Sequence, residues 1–357
     1  MSDVLDQAGG VREGEELDPR IIGDYIKTVV PDISGDPDIR QFPGGASNLT
    51  YAVRFSNREF ILRRPPFGTK AKSAHDMGRE YKVMSKLKPV YPYVPEMIAF
   101  CAEQDSPLGC EFYIMERLVG IIPRADMPAG LALSPDQNRT LCENVIDRLV
   151  ELHGVDYKAA GLSDLGKGAG YVERQISGWS QRYVAAKTPD VPDFENIMRW
   201  LQDNLKDQIR VCVIHNDYRM DNVVLAPEDP TRVIGVLDWE MATLGDPLMD
   251  LGNSLAYWVQ ADDPPEYQAM RRQPTHLPGM MTRDEVVAHY CGRTGLQAAD
   301  MLFYRVYGVF RLAVILQQIY YRFYHGQTQD SRFSAFGASV KLLEQQCHEL
   351  LQTTGAG

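Results

Sequence analysis

The stretch of sequence that decides the fold is HNDYRMDN, residues 215–222. Short apolar runs flank it, at residues 211–214 and 223–225. Apolar runs of this length, bounded by polar residues, are typical of buried strands. The stretch therefore predicts a loop between two strands, and this loop presents Asp217 and Asn222.

A second polar stretch follows the next predicted strand. Residues 232–237 are mainly apolar and lead into LDWE, residues 237–240, which places Asp238 at a strand end. One amide and two carboxylates, with no His or Cys pair nearby, suit Mg²⁺ rather than Zn²⁺. Because protein-bound Mg²⁺ shares phosphate oxygens, the arrangement indicates phosphoryl transfer.

Composition limits the partners. The chain has 357 residues, 44% of them hydrophobic and 24% charged, as in an ordinary soluble globular enzyme. With 37 Lys and Arg against 48 Asp and Glu, the net charge is −11. Nucleic acid is thereby excluded as an expected partner, since binding its backbone needs a cationic surface. Residues 41–118, with 11 basic and 8 acidic side chains, are the only net-positive region, so we expect an anion to bind there.

The cellular location is predicted from the N-terminal residues, the most apolar segment and the cysteines. Residues 1–19 have neither the basic start nor the apolar stretch of a signal peptide. The most apolar segment, residues 303–324, is interrupted by three arginines and two glutamines, which is too polar for a membrane span. Six scattered cysteines without a C-x-x-C pair fit small buried side chains in a reducing compartment. We expect a soluble, cytoplasmic protein without a membrane partner.

The periodicity predicts an α+β architecture in two parts. Residues 1–16 form a flexible leader, and residues 17–118 contain a helix from Asp18-Pro19, a hairpin over about 50–63, a helix near 80–87 and a strand at 112–115. Residues 119–357 are mainly helical. The predicted helices lie at about 134–153, 171–187, 193–209, 246–260, 283–294, 298–325 and 330–351.

Several segments together resemble one known family. They are FPGGASNLTY, FILRRPP, AHDMGREYKV, FYIMERLVG, ELH, HNDYRMDN, LDWEMATLGDP and LMDLG, between residues 42 and 252. The set resembles the kinase-like fold of aminoglycoside phosphotransferases and choline kinase, and in particular a subgroup associated with acyl-CoA dehydrogenases. The resemblance implies a protein-kinase-like fold with a small antiparallel-sheet lobe (17–118) that binds nucleotide and a larger helical lobe (119–357) that carries the catalytic loop and the acceptor site.

The resemblance implies roles for the two decisive stretches. Asp217 becomes the catalytic carboxylate that accepts or orients the proton of an attacking hydroxyl. Asn222 and Asp238 become ligands of Mg²⁺, and ATP becomes the phosphoryl donor. His215 is expected to hold the loop. Glu240 either assists the metal or is a solvated carboxylate at a strand end.

Arg219 lies two residues after Asp217, where protein kinases commonly carry a lysine that touches the transferred phosphate. One hypothesis is that Arg219 stabilises charge developing on that group. The alternative is a salt bridge with Asp221 or Glu240.

Two further features are interpreted through the resemblance to the family. Gly44, Gly45, Ser47 and Asn48 precede the first hairpin strand, where the family places its phosphate-covering loop; without that context they predict a tight turn. Met115, Glu116 and Leu118 form the expected lobe connection, with the Glu116 carbonyl and the Leu118 N–H at the adenine edge.

Arg63 stands where the family usually has a phosphate-contacting lysine. Glu80, on the next predicted helix, is its expected ion-pair partner. A guanidinium is a planar fork and an ammonium a point charge, so this departure bears on ATP affinity and activity. Arg64 is the alternative phosphate contact.

The sequence favours a helical acceptor site but leaves its substrate open. The candidates are Tyr171, Arg174, Trp179, Arg182, Tyr183 and Arg311. They suit an anionic or acyl acceptor, or they are helix-packing residues with solvated arginine ends. The acidic C-terminal part could equally attract a cationic amino sugar.

Two classes of function follow. The first is an ATP- and Mg²⁺-dependent kinase for a small-molecule hydroxyl. The family subgroup implies a hydroxyacyl-CoA or related hydroxy acid and a functional link to an acyl-CoA dehydrogenase, with an aminoglycoside or a choline-like alcohol as the alternative. The second class is a catalytically weak nucleotide-binding regulatory module.

Overall fold

The computed structural model describes residues 4–43, 48–67, 76–297 and 301–353. Its N-terminal part contains a five-stranded antiparallel sheet in the order β1-β2-β3-β5-β4. The strands are β1 (Asp38–Gln41), β2 (Leu49–Arg54), β3 (Glu59–Arg64), β4 (Met97–Cys101) and β5 (Phe112–Glu116). The small antiparallel sheet and the helical C-terminal part confirm the predicted kinase-like α+β fold.

The predicted hairpin is β2 and β3. Alternating apolar residues place Tyr51 and Val53 in the core, and the register pairs Thr50 with Arg63. The strands β1 and β4 were missing from the sequence prediction. The first is short and polar, and the second has no period-two alternation, so only pairing within the sheet reveals them.

Two helices flank the sheet, α1 (Pro19–Val29) and α2 (Met77–Leu87). Asp18 caps α1 and Asp76 caps α2, each accepting a hydrogen bond from a free backbone N–H of the first turn. The apolar stripe of α1 is buried through Ile22 and Ile26.

The segment before α1 contacts the sheet. Gly9 exchanges backbone hydrogen bonds with Gln41 on the edge strand β1, at 2.8 and 3.2 Å. The Tyr51 hydroxyl donates to the Glu15 carbonyl oxygen, and Arg117 donates to that of Asp6. The described part of the leader thus covers one edge of the sheet.

The C-terminal part is built on helices around α9. The helices are α3 (Pro135–His153), α4 (Tyr171–Ala186), α5 (Glu195–Asp203), α6 (Pro247–Ala256), α7 (Pro265–Gln268), α8 (Arg283–Thr294), α9 (Met301–Tyr324) and α10 (Phe336–Thr353). Helix α9 packs against α4, α6 and α10. Where α6 crosses α9, a Cβ on Gly308 would lie 2.1 Å from the carbonyl oxygen of Gly252, so only glycine permits this approach. No helix among the described residues has the length and apolarity that crossing a bilayer requires.

Two small sheets inside the C-terminal part hold the decisive loops. Strand β6 (Cys212–Ile214) pairs with β9 (Thr243–Gly245), and β7 (Val223–Leu225) pairs with β8 (Val233–Val236). The HNDYRMDN loop joins β6 to β7, and the LDWE stretch joins β8 to β9. The sequence predicted β6, β7 and β8. Strand β9, with one large apolar side chain (Leu244), lacks the apolar run that identified the other three. All six cysteines are free and buried, as their scatter predicted.

Candidate active site

A cleft of about 410 Å³ lies between the sheet and the C-terminal part. We call it the interlobe cleft. Its walls come from β3, α2, β5, the β6–β7 loop and the β8–β9 segment. Of the residues singled out from the sequence it contains Arg63, Glu80, Met115, Glu116, Leu118, Asp217, Arg219, Asn222, Asp238 and Glu240.

One buried carboxylate, that of Asp250, accepts hydrogen bonds from the start of the β6–β7 loop. Asp250, on α6, accepts hydrogen bonds at 2.7 Å from the backbone N–H of His215 and of Asn216. His153 Nε2 donates to the same carboxylate at 3.1 Å. Burial alone would raise the pKa of Asp250, but these hydrogen bonds hold it below its ordinary value. An ionised Asp250 therefore fixes the start of the loop.

His215 connects the two decisive stretches. Its Nδ1 accepts from the Asp217 N–H at 3.2 Å, so Nε2 carries the proton and donates to the Leu237 carbonyl oxygen at 2.9 Å. The ring also packs on Trp239, with centroids 4.8 Å apart. His215 thus links the two loops, and both ring nitrogens are used in doing so.

Asp217 and Asn222 face each other across the loop. Asn222 Nδ2 donates to the backbone oxygen of Asp217 at 2.9 Å and to its Oδ2 at 3.2 Å. The left-handed backbone of Asn216, with φ of 65°, turns the chain so that Asp217 enters the cleft. This turn could not be predicted from the residue types.

Arg219 lies between two carboxylates. Its Nη2 is 3.2 Å from Asp217 Oδ2 and its Nε is 3.1 Å from Asp221 Oδ1. The guanidinium also lies over the Tyr257 ring, 4.6 Å from the centroid. Burial alone would lower the pKa of Arg219, but the two aspartates raise it above its ordinary value. The salt bridge to Asp221 that the sequence offered as an alternative is present, and the same guanidinium reaches Asp217.

Arg63, on β3, links the sheet to the LDWE stretch of residues 237–240. Its Nη1 is 3.0 Å from Glu80 Oε1, and its Nη2 is 2.7 Å from Asp238 Oδ1 and 3.6 Å from Glu240 Oε2. Burial alone would lower the pKa of Arg63, but Glu80 and Asp238 raise it well above its ordinary value. The planar fork can hold two carboxylates at once, which an ammonium group does less well.

The pKa values of the two carboxylates that contact Arg63 shift in opposite directions. Glu80 is 1% exposed, and burial raises its pKa although Arg63 opposes this. Burial also acts to raise the pKa of Asp238, but the Arg63 guanidinium outweighs it and lowers that pKa below its ordinary value. Asp238 has a left-handed backbone, φ 64°, which aims its side chain at Arg63.

Arg64, which the sequence offers as the alternative phosphate contact, lies apart from Arg63. Alternation along β3 sends it away from Arg63, and its guanidinium lies 3.8 Å from the centroid of the Phe67 ring. Its Nε donates to the Pro65 carbonyl oxygen. Arg64 is buried and does not line the interlobe cleft.

Apolar side chains line part of the interlobe cleft. Among them are Met115 and Leu118, from β5 and the segment after it, together with Ile61 and Leu237. The Glu116 side chain is exposed, and Arg58 donates a hydrogen bond to it at 3.1 Å.

The predicted phosphate loop is only partly described. Gly44, Gly45 and Ser47 lie outside the described residues. Asn48 is buried, and its Nδ2 donates to Glu240 Oε2 at 3.0 Å. The last residue of the predicted loop is therefore hydrogen-bonded to the β8–β9 segment.

One residue that connects the two parts, Arg79, was not predicted from the sequence. Arg79, beside Glu80 on α2, donates to the backbone oxygens of Glu240, Ala242 and Leu165. It connects α2 to the C-terminal part. No periodicity or motif distinguishes this arginine, because its three acceptors are backbone atoms distant in sequence.

The oxygen ligands suit one particular cation. Asn222 directs its amide nitrogen at Asp217, which leaves its amide oxygen as a ligand, and Arg63 engages Asp238 Oδ1, which leaves Oδ2. Among the described residues no three His, Cys, Asp or Glu side chains form a metal cage by themselves. An amide and a carboxylate fit Mg²⁺, since this cation takes its other ligands from phosphate and water.

The family is established by comparison with known sequences. The pattern of the phosphotransferase enzyme family matches residues 38–285, well over half of the chain. The chain therefore belongs to the phosphotransferase enzyme family. Family and structural neighbours together support a small-molecule kinase.

Solved structures share the fold. A protein from Ralstonia eutropha JMP134, provisionally named an aminoglycoside phosphotransferase, has a TM-score of 0.80 and 27% identity over 94% of this chain and 98% of its own. Choline kinase from Cryptosporidium parvum has a TM-score of 0.64 at 15% identity, over 95% of this chain and 98% of its own, and shows the fold alone.

Curated relatives confirm the predicted subgroup. Mouse acyl-CoA dehydrogenase family member 10 is 35% identical over 86% of this chain and 28% of its own length. Human acyl-CoA dehydrogenase family member 11 is 32% identical over 88% of this chain and 40% of its own length. The chain thus spans less than half of these relatives.

Proposed function

We propose that the protein transfers the γ-phosphoryl group of ATP to a hydroxyl group of a small molecule, with Mg²⁺ as cofactor. One observation carries the proposal: the interlobe cleft brings Asp217, Asn222 and Asp238 together with the Arg63–Glu80 ion pair. Mg²⁺ would neutralise charge on the phosphates when bound. The predicted division at residue 118 is part of the proposal: residues 17–118 hold nucleotide and residues 119–357 hold the acceptor.

The step is an in-line displacement at phosphorus. The acceptor oxygen forms a bond to the γ-phosphorus, the bond from that phosphorus to the β–γ bridging oxygen breaks, and ADP leaves with that bonding pair. Asp217 orients the hydroxyl and takes its proton at a carboxylate oxygen. Asn222 keeps the Asp217 carboxylate in place through the 3.2 Å hydrogen bond.

The remaining predicted residues position the nucleotide. Asn222 and Asp238 would hold Mg²⁺, and Arg63 would face the α- and β-phosphates. Met115, Glu116 and Leu118 would hold the base, the last two through backbone groups. Gly44, Gly45, Ser47 and Asn48 would cover the phosphates.

Arg219 stabilises charge on the transferred group in this proposal. Its place beside Asp217 supports this, since the guanidinium is held by two carboxylates and a ring. We expect Arg219→Ala to reduce turnover by about 100-fold while ATP affinity stays unchanged. Unchanged turnover would assign Arg219 to loop structure.

The proposed acceptor is a hydroxyacyl-CoA or a related hydroxy acid. The similarity to acyl-CoA dehydrogenase family members 10 and 11 supports this class and a functional link to such a dehydrogenase. An aminoglycoside or choline-like alcohol is the alternative, after the names of the structural neighbours. A reducing cytoplasm as the location is supported by the six free, buried cysteines.

The test is acceptor-dependent ADP release. Panels of hydroxyacyl-CoAs, free hydroxy acids, amino alcohols and aminoglycosides are incubated with ATP and Mg²⁺, with Asp217→Ala as the control. ADP release that needs an acceptor and is lost in the variant supports the kinase. A protein that binds no nucleotide at all contradicts the proposal.

One contact favours the alternative of a weakly catalytic nucleotide-binding module. Arg63 occupies Asp238 Oδ1 at 2.7 Å, so it competes with a cation for that carboxylate. Thermal stabilisation by Mg·ATP without turnover on any panel would support this alternative.

A further inference from the structure

A second cavity, of about 370 Å³, opens on the C-terminal part beside the catalytic loop. We call it the cationic cavity. It is lined by four basic side chains, Lys167, Arg174, Arg182 and Arg311. No aspartate or glutamate is among the residues that line it.

Within the described ranges, none of these four basic side chains forms a salt bridge with a carboxylate. Arg311 is only 3% exposed, and its Nη2 donates to the Asn216 carbonyl oxygen at 2.9 Å. A carbonyl oxygen and an aromatic ring offset the desolvation cost of a buried guanidinium only in part, and an anion in the cavity would offset more of it.

An indole fixes two of the guanidinium groups. Arg182 lies 4.5 Å and Arg311 5.1 Å from the centroid of the Trp179 ring. Arg174 is held separately by donating to the carbonyl oxygens of Gly168 and Ala169. Arg174 and Arg182 share one face of α4, as their spacing predicted. The donors are thus ordered in advance, which reduces the entropy lost on binding.

The same two segments line both cavities. On the β6–β7 loop, Asn216 lines the cationic cavity and the next residue, Asp217, lines the interlobe cleft. On the β8–β9 segment, Met241 lines the cationic cavity and the preceding residue, Glu240, lines the cleft. Residues adjacent in sequence therefore face the two cavities on both segments.

We propose that the cationic cavity binds an anionic group, a carboxylate or a phosphate, of the acceptor whose hydroxyl reaches Asp217. The inference rests on the proposed function and specifies its acceptor as an anion. Guanidinium groups suit both oxyanions, because their paired N–H groups match two oxygens.

The experiment compares three acceptors that carry one hydroxyacyl group: the free acid, its CoA thioester and its uncharged N-acetylcysteamine thioester. We expect kcat/KM for at least one anionic acceptor to exceed that of the neutral thioester by about tenfold or more. Preference for the acid would identify a carboxylate, and preference for the CoA thioester a phosphate.

Arg182→Gln, at an exposed side chain, is the first test variant, and Arg174→Gln is the second. Each substitution should lower kcat/KM for the preferred anion by about tenfold. The KM for ATP and the KM for the neutral acceptor should be unchanged. Arg199→Gln, which removes an exposed arginine from α5, is the matched control. Equal use of neutral and anionic acceptors, or an equal loss in Arg199→Gln, overturns the proposal.

A binding measurement separates this proposal from the kinase proposal. If no acceptor is consumed, the kinase proposal fails. The cationic cavity is then tested by calorimetry, with Mg·AMP-PNP added to occupy the interlobe cleft. The probes are the free hydroxy acid and adenosine 3′,5′-bisphosphate. Binding of either that weakens about tenfold in Arg182→Gln, but not in Arg199→Gln, supports the anion site. Absence of binding to the unmodified protein overturns it.

Discussion

The interlobe cleft and the cationic cavity are lined by adjacent residues of the same two segments, and their charges are organised in different ways. In the cleft, Arg63 and Arg219 each hold two carboxylates within 3.2 Å. In the cationic cavity, the three arginines contact carbonyl oxygens and an indole ring. The comparison teaches that paired charges here fix geometry, while unpaired charges are left for a ligand.

The physical reason lies in desolvation. A buried ion pair contributes little net stability, but it orients the groups it joins, and losing one partner is costly. Cations without carboxylate partners keep their full capacity to bind an anion. Substitutions at Asp217, Asp250, Arg63 and Arg182 test this difference.

Asp217→Asn should produce the largest effect. Removing the proton acceptor while keeping the shape should reduce kcat by about 10³-fold, because general-base catalysis contributes on this order. Nucleotide affinity should be unchanged, since Asp217 faces the acceptor side in the proposal. Steady-state ADP release and a fluorescent-nucleotide titration measure the two quantities. A variant with normal kcat would remove Asp217 from the catalytic role.

Asp250→Asn should destabilise the whole catalytic loop. An amide provides one acceptor oxygen and no charge for the two backbone N–H groups and His153, so we expect a loss of about 2–4 kcal/mol in the free energy of unfolding. Urea denaturation measures it. Asp284→Asn, whose carboxylate is 86% exposed in its pair with Arg305, is the control and should change stability by less than about 1 kcal/mol.

The pH dependence supplies the check on Asp250. Its pKa is lowered in the folded protein, so its stabilising effect is complete above the ordinary value near 4 and is lost as the pH falls through the folded-state pKa. The stability difference between the unmodified protein and Asp250→Asn should therefore stay constant from pH 7 down to about pH 4 and shrink below about pH 4. A difference that grows on acidification would show that Asp250 is not ionised in the fold.

Arg63→Lys should weaken the hold on Asp238. One ammonium group cannot keep both Glu80 and Asp238 in the geometry of the fork, so Asp238 becomes more available to a cation. We expect the Mg²⁺ concentration for half-maximal activity to fall by about tenfold, the equivalent of one charged hydrogen bond. Magnesium titrations of both proteins test this. A higher Mg²⁺ requirement would mean that the pairing with Arg63 assists the metal site.

Arg182→Gln should have the smallest effect on folding. The side chain is exposed and forms no salt bridge with a described carboxylate, so the free energy of unfolding should change by less than about 0.5 kcal/mol. Thermal and urea unfolding measure it. A loss of more than about 1 kcal/mol would mean that Arg182 contributes to stability, and the contrast between the two cavities would no longer hold.

Much of the architecture was predictable from local patterns. Helical periodicity indicated the main helices of the C-terminal part, and alternation indicated the β2–β3 hairpin. Strands β1, β4 and β9 were not predictable, because short edge and bulged strands are defined by their pairing partners. The caps at Asp18, Asp76 and Asp246 follow from side chains that accept from backbone groups close in sequence.

The site shows the same division between local and distant information. Asp217, Asn222 and Asp238 could be selected from the sequence, because two loops of characteristic composition carry them. The fork of Arg63 onto Asp238 spans 175 residues of sequence, and no local pattern encodes it. Two further features likewise depend on how the two parts pack. They are the contacts of Arg79 with three carbonyl oxygens and the position of Arg64 outside the interlobe cleft.

The sequence by itself determined the fold family, the two decisive loops and the residue types that suit Mg²⁺ and phosphate. Only the tertiary structure decided which cations are paired and which face an open cavity. Residue types and spacing specify chemical capacity and local backbone form, which depend on neighbours in the chain. The pairing of charges depends on distances between segments far apart in sequence, and those distances exist only after the helices and the sheet have packed.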